Sequence, residues 1–368
     1  MALHDEIQER RAEIRSDGYP MSIGELVNLY RDGELNIHPE FQRFFRWTAT
    51  QKARLIESLL LGIPLPSIFV SQRDDGVWDV IDGLQRLSTI FEFMGVLKDE
   101  GDACVEPLVL VKTKYLPSLE NRTWRDYETH KGIGSENQLI IKRSKIDVKI
   151  ILRESSEGSK YELFQRLNTG GSQLSAQELR NVLMIMVDPT LYRWVSDLSG
   201  NQHFRSCLGI SDRAELEQYD LELVCRFLVL RELDEPRLKG IPEFGEFLTE
   251  SMLELAAASE REKREIHGNA FARTFEVLAE ALADDSFRRY DHQRRRHLGR
   301  FLISAFEVIA MGLGFNVSRL GYQIDRERVQ TVARDIWRDG KFLAAIGSGV
   351  GTSSRIPVTI PRGRALFA

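Results

Sequence analysis

Asp82-Gly83-Leu84-Gln85-Arg86 gathers a carboxylate, an amide and a guanidinium around one glycine. Glycine lets the chain turn sharply and lets another group approach the backbone. If a helix starts there, its first amides and the positive end of its dipole attract an anion. Arg86 then adds a forked donor, Asp82 holds a cation or orients a water, and Gln85 supplies a neutral hydrogen bond. These are the materials for handling phosphate with a divalent ion. The same spacing also serves an ordinary connection in which Asp82 caps the helix and Arg86 is solvated, and the five residues alone leave both readings open.

Three other stretches carry related chemistry. In Pro39 to Trp47, Gln42, Arg43 and Arg46 alternate with aromatic residues. Phe164-Gln-Arg166-Leu-Asn168-Thr169-Gly170-Gly171 offers backbone amides, a hydroxyl and an amide side chain that suit an anion or a base edge, or else forms a plain connection before a helix. The run from Arg288 to His297 includes Arg294, Arg295 and Arg296 and reads either as a DNA-phosphate contact or as a charged helix face.

The elements that position these residues follow from periodicity. Val77 to Ile81 reads as a short strand, and Leu87, Ile90, Phe91, Met94 and Leu97 recur at helical spacing, so Asp82 falls where strand gives way to helix. Ser22 to Glu25 and Thr48 to Gln51 have capping-box form and open helices. Pro64 and Pro66 stop the second of these, and Ile68 to Val70 forms a strand that Asp74-Asp75-Gly76 turns back toward Asp82. Residues 3–16 read as an arm or first helix, and further strands are predicted at about 107–112 and 145–152. Ser175-Ala-Gln-Glu178 is a third capping box, which makes Glu178 mainly structural. From about 176 onward the pattern is helical. The tail Ile346 to Arg355, rich in glycine and hydroxyls, lacks the lysine and the helix of a phosphate-binding loop and reads as a mobile loop or a secondary anion contact.

The totals narrow the classes. The chain has 368 residues, a net charge of −5 and 42% hydrophobic content, which predicts a globular protein of two domains, or of one domain with a large helical extension, whose DNA contact, if any, is a local patch. Cys104, Cys207 and Cys225 make an odd total with no C-x-x-C pair, arguing against a disulfide framework or zinc cage. No signal peptide or membrane-spanning run is recognisable, so a cytoplasmic protein without membrane contact is expected. No G-x-S-x-G elbow, H-E-x-x-H pair or dinucleotide fingerprint is present.

Phe41-Gln42-Arg43 with Arg46-Trp47, then Asp82 to Arg86, then Phe164 to Gly170, in that order, resemble the N-terminal domain of GmrSD-type restriction endonucleases, within the ParB/sulfiredoxin-like superfamily. The resemblance implies an α+β fold: a ParB/sulfiredoxin-like nucleotide-binding core over 1–185, followed by a mostly α-helical domain over 186–368. It also implies binding and hydrolysis of a nucleoside triphosphate with Mg²⁺ or another divalent cation, in prokaryotic restriction or phage defence. By match, Asp82, Gln85 and Arg86 correspond to the catalytic DGQQR-type motif, with Asp82 as the metal contact. Gln42, Arg43, Arg46, Gly83, Arg166, Asn168, Thr169 and Gly170 correspond to nucleotide contacts. Leu84 stands where the family motif has its first glutamine, and no His-Asn-His nuclease domain is recognisable. The expected partners are therefore nucleotide, DNA, a separate nuclease subunit and a second copy of the chain. A non-hydrolysing nucleotide or DNA sensor and a DNA-nicking endonuclease are the alternatives.

Overall fold

The structure, a computed structural model, describes residues 15–37, 47–99, 101–153, 175–211, 214, 218–256, 261–320, 325–347 and 349–368. The chain divides into two compact units, Met1–Leu174 and Ser175–Ala368.

The first unit is built on a mixed five-stranded sheet. Its strands are β1 (Ser16–Ser22), β2 (Leu35–Asn36), β3 (Ile68–Gln72), β4 (Trp78–Asp82) and β7 (Lys145–Ile151), in the spatial order β1-β7-β3-β4-β2. β1 pairs antiparallel with β7 and β3 with β4, whereas β3 runs parallel to β7 and β2 parallel to β4. Between β4 and β7 a short parallel pair forms from β5 (Arg122–Thr123) and β6 (Lys131–Gly132). Among the described residues of this unit the α-helices are α1 (Ile23–Arg31), α2 (Ala49–Leu60), α3 (Leu84–Phe93) and α4 (Ser135–Arg143). The Ser22 hydroxyl accepts from the Glu25 amide at 3.2 Å to start α1, and a complete capping box between Thr48 and Gln51 starts α2. Leu87, Ile90, Phe91 and Phe93 bury one face of α3, with Phe91 stacked on Tyr30 at 4.6 Å between ring centroids. A second fixed point is Glu57 on α2, a buried carboxylate whose Oε1 accepts from the Tyr115 and Leu116 amides at 2.8 Å and from the Thr113 hydroxyl.

The stretch 107–112, expected as a strand, joins no ladder. Pro107 has no amide to donate, the Leu108 amide donates to the Glu92 carbonyl of α3 at 3.4 Å, and Leu110 exchanges backbone hydrogen bonds with Asn121 and Arg122.

The second unit is helical. It contains α5 (Ala176–Val187), α6 (Pro189–Ser199), α7 (Gln202–Cys207), α8 (Tyr219–Leu230), α9 (Glu235–Lys239), α10 (Phe244–Glu254) and α11 (Arg261–Ala281). After the hairpin β8 (Arg289–Asp291) and β9 (Arg296–Leu298) come α12 (Ile303–Leu320), α13 (Arg326–Asp335), α14 (Gly340–Ala345) and α15 (Thr352–Leu366). Phe204, Phe227, Phe271, Phe275 and Phe306 form one continuous aromatic core. Ser175 and Glu178 cap α5 reciprocally, as their spacing predicts.

Two expectations fail here. The basic run is not a helix face: the Asp291 carboxylate folds it back by accepting from the Gln293 and Arg294 amides at 2.8 and 3.0 Å, and a hairpin results. The glycine-rich tail does lead into a helix, α15, despite Pro357 and Pro361 inside it. Its Arg355 is no open anion contact, because it forks onto the buried Glu307 carboxylate with two bonds of 2.9 Å.

Candidate functional site

Parallel pairing of β2 with β4 is what organises the site. Both strands run toward the same edge of the sheet, so the chain leaving Asn36 and the chain leaving Asp82 depart from one side. β3 is antiparallel to β4, with Phe69 opposite Asp82, so Pro66 and Ser67 lie at this edge too. Gly83 turns the corner. Its φ of +94° lies in the left-handed region, and it serves as N-cap of α3 without any side-chain cap. A Cβ there would collide with the Ile68 side chain.

Asp82 consequently does not cap α3. Its Oδ2 lies 3.1 Å from Arg86 Nη2, one turn along, and its side chain stays 46% exposed. Arg86 is not solvated: its side chain is 12% exposed, and Nη1 donates to the carbonyls of Pro66 and, at 3.1 Å, Ser67. Burial pulls the Arg86 pKa down from its usual value and the Asp82 charge opposes that pull. The guanidinium thus joins the proline-containing loop to the strand–helix corner and braces Asp82, while the carboxylate keeps its outer face open.

Gln85 makes the connection between distant parts of the chain. Its Oε1 accepts from the backbone amide of Trp47 at 3.4 Å, across 38 residues. Trp47 closes the first arginine-containing stretch, so the end of that stretch reaches the second at this corner. Gln42, Arg43, Arg46, Arg166, Asn168, Thr169 and Gly170 lie outside the described residues. No group of three or more His, Cys, Asp or Glu side chains suited to a metal occurs among the described residues. Mg²⁺ commonly takes only one or two protein carboxylates and completes its shell with water and phosphate oxygens, so the lone Asp82 carboxylate fits that ion as a partial ligand.

Arg294, Arg295 and Arg296 occupy the exposed end of the β8–β9 hairpin in the second unit. Arg295 has φ +53°, a left-handed conformation that closes the turn. Beside them is a cleft of about 480 Å³ whose walls include Tyr290, Arg295, Arg296, His297, Gln330 and Arg334. Asp291 sits below the usual carboxylate range because the Arg294 and Gln293 amides, and the neighbouring arginines, favour its charged form over the opposing effect of burial.

Sequence reading missed the Pro66 and Ser67 carbonyls and the Trp47 amide, since backbone groups leave no residue-type signal; Pro66 marked only the end of a helix. It also missed Arg334, which joins the hairpin through a cation–π contact with Tyr290 (5.7 Å) and through its carbonyl, near His292 Nε2 at 3.0 Å. A buried cluster on α5 went unnoticed as well. There Arg180 donates to Thr249 Oγ1 at 3.2 Å and to Gln177, and Gln177 donates to Asn181 Oδ1 at 2.7 Å.

Among the described residues no helix is long and apolar enough to cross a membrane. No curated protein and no solved structure matches the chain. The family model for the GmrSD restriction endonuclease, N-terminal domain, matches residues 23–185. That stretch, less than half of the chain, holds the whole Asp82 corner, and it belongs to the GmrSD restriction endonuclease N-terminal domain family.

Proposed function

We propose that the first unit binds a nucleoside triphosphate at the Asp82 corner and hydrolyses it, as the nucleotide-handling part of a defence system that works with a separate nuclease. The observation that carries this reading is the Gln85–Trp47 hydrogen bond, which brings the end of the Gln42-to-Trp47 stretch to the first turn of α3, the helix that follows the half-exposed Asp82. A bound Mg²⁺ would neutralise phosphate oxygens and lower the pKa of a coordinated water. Asp82 takes the metal-facing role, with Arg86 holding its carboxylate in place. Gln85, on the first turn of α3, orients a phosphate oxygen or the attacking water beside the amides of that turn. With the Arg86 donors engaged by Pro66, Ser67 and Asp82, Arg43 and Arg46 become the principal source of positive charge for the phosphates.

Phosphate release from GTP, ATP, CTP and UTP with Mg²⁺ tests this directly. Wild type should turn over at least one of the four, and Asp82→Asn should slow it on the order of 100-fold, the scale of losing one preorganised charge-stabilising group. Arg86→Lys, which keeps the charge but not the fork, should retain more activity than Arg86→Ala. Equal rates for wild type and Asp82→Asn would remove Asp82 from the mechanism. Saturable nucleotide binding without turnover would replace hydrolysis by a sensor role.

A further inference from the structure

We propose that the β8–β9 hairpin and its adjoining cleft dock the sugar–phosphate backbone of duplex DNA. The proposal adds a partner to the restriction reading and does not depend on the nucleotide corner. Five of the ten residues from Arg288 to His297 are arginine, in a chain whose net charge is −5. The fold concentrates that charge instead of dispersing it around a helix. Arg294, Arg295 and Arg296 are consecutive and exposed at the hairpin's end. Arg334 of α13 is exposed nearby, and it lines the same cleft as Arg295, Arg296 and His297.

Neutralisation within the cleft is one-sided. Of its acidic walls, Glu280 is bridged to Arg326 at 2.6 Å, and Asp285 lies 3.7 Å from Arg288. Asp291, the acid on the hairpin itself, is occupied by the turn amides and by Arg294 at 3.9 Å. Arg295 and Arg296 have no carboxylate partner among the described residues. The surface therefore presents uncompensated cations in a row, the complement of a continuous polyanion.

The aromatic content decides between backbone and base. Tyr290 and His297 are the rings on the cleft wall, but they pack against each other edge-on at 4.9 Å, His292 packs edge-on against Tyr290 at 4.9 Å, and Arg334 lies against the Tyr290 ring. A ring so engaged is a poor platform for stacking a splayed base, which single-strand binders require. Arginines without a free aromatic partner position a duplex by its phosphates and read little sequence.

Fluorescence anisotropy of the full chain with a labelled duplex, in the absence of nucleotide and over a series of salt concentrations, tests the proposal. Wild type should bind with affinity that falls steeply with salt. The variant Arg294→Gln/Arg295→Gly/Arg296→Gln should lose about 0.9 from the log–log salt slope for each phosphate contact removed. Arg295→Gly alone should lose about one such contact while melting no lower than wild type, because glycine adopts a positive φ freely. That variant separates lost charge from lost fold. A control with the same charge change in the first unit, Lys112→Gln/Lys114→Gln/Lys145→Gln, should keep the wild-type slope. An unchanged slope in the hairpin variant, an equal loss in the control, or no duplex binding by wild type at about 50 mM salt overturns the assignment. Phosphate release is read in a different assay, so either proposal can fail without the other.

Discussion

Gly83 carries a positive φ and also faces the Ile68 side chain with no room for a Cβ. Gly33 shares the first property, with φ +77°, but nothing lies within 4 Å of its missing Cβ. The pair separates backbone strain from crowding. Gly33→Ala should cost about 1–2 kcal/mol of unfolding free energy from the left-handed conformation. Gly83→Ala should cost about 2–5 kcal/mol, because overpacking adds roughly 1–3 kcal/mol to that strain. Urea denaturation of both variants reads the difference, and equal midpoints would show that Ile68 yields freely. The need for glycine after Asp82 was legible in the sequence, as part of a strand–turn–helix pattern. The fate of Arg86 was not: i,i+4 spacing allowed its pairing with Asp82, but the Pro66 and Ser67 carbonyls come from a segment nineteen and twenty residues away.

At the scale of elements, α15 shows tertiary packing overriding local preference. Two prolines remove helical hydrogen bonds, yet the segment is helical because α12 supplies compensation. The Arg355 guanidinium and the Thr359 hydroxyl converge on Glu307, and the Asn316 amide donates to the Arg364 carbonyl at 3.0 Å. Gly312 and Gly363 let the two backbones approach so closely that a Cβ on either would strike the other helix. The sign of Gly312→Ala is therefore diagnostic. Helix propensity alone predicts a gain of about 1 kcal/mol. The helix crossing predicts a net loss of about 1–2 kcal/mol, since crowding of roughly 2–3 kcal/mol outweighs that gain. A thermal melt that rises would contradict the close crossing. The hairpin teaches the same lesson in reverse: its arginines suit a helix face, but the Asp291 side chain captures two amides and turns the chain back.

Across the whole molecule, several carboxylates are held below their usual pKa despite burial. Burial raises the Glu57 value, but the Thr113 hydroxyl and the Leu116 and Tyr115 amides more than offset it. Asp188 is treated likewise by Thr190 and Arg264, and Asp339 by the Phe342 amide and Arg362. Each lowered value means that the unfolded chain binds the proton more tightly than the folded one. Their stabilisation is therefore fully present above the unfolded values near 4.5 for Glu57 and 3.8 for the aspartates, and is lost as pH falls through the lower folded values. Urea midpoints should be level between about pH 6 and 7 and fall progressively below about pH 4.5. In Glu57→Gln the decline should be shallower. By itself the sequence determined the α+β-then-helical order, the three capping boxes or their first halves, the strand–turn–helix around Asp82 and the three motifs that resemble one family, because all of these are written in neighbouring residues. Only the tertiary structure decided that Trp47 meets Gln85, that Arg86 braces Asp82 against a distant loop and that the basic run is a hairpin. Those outcomes depend on strand order and on backbone groups, which chain proximity and side-chain type do not encode.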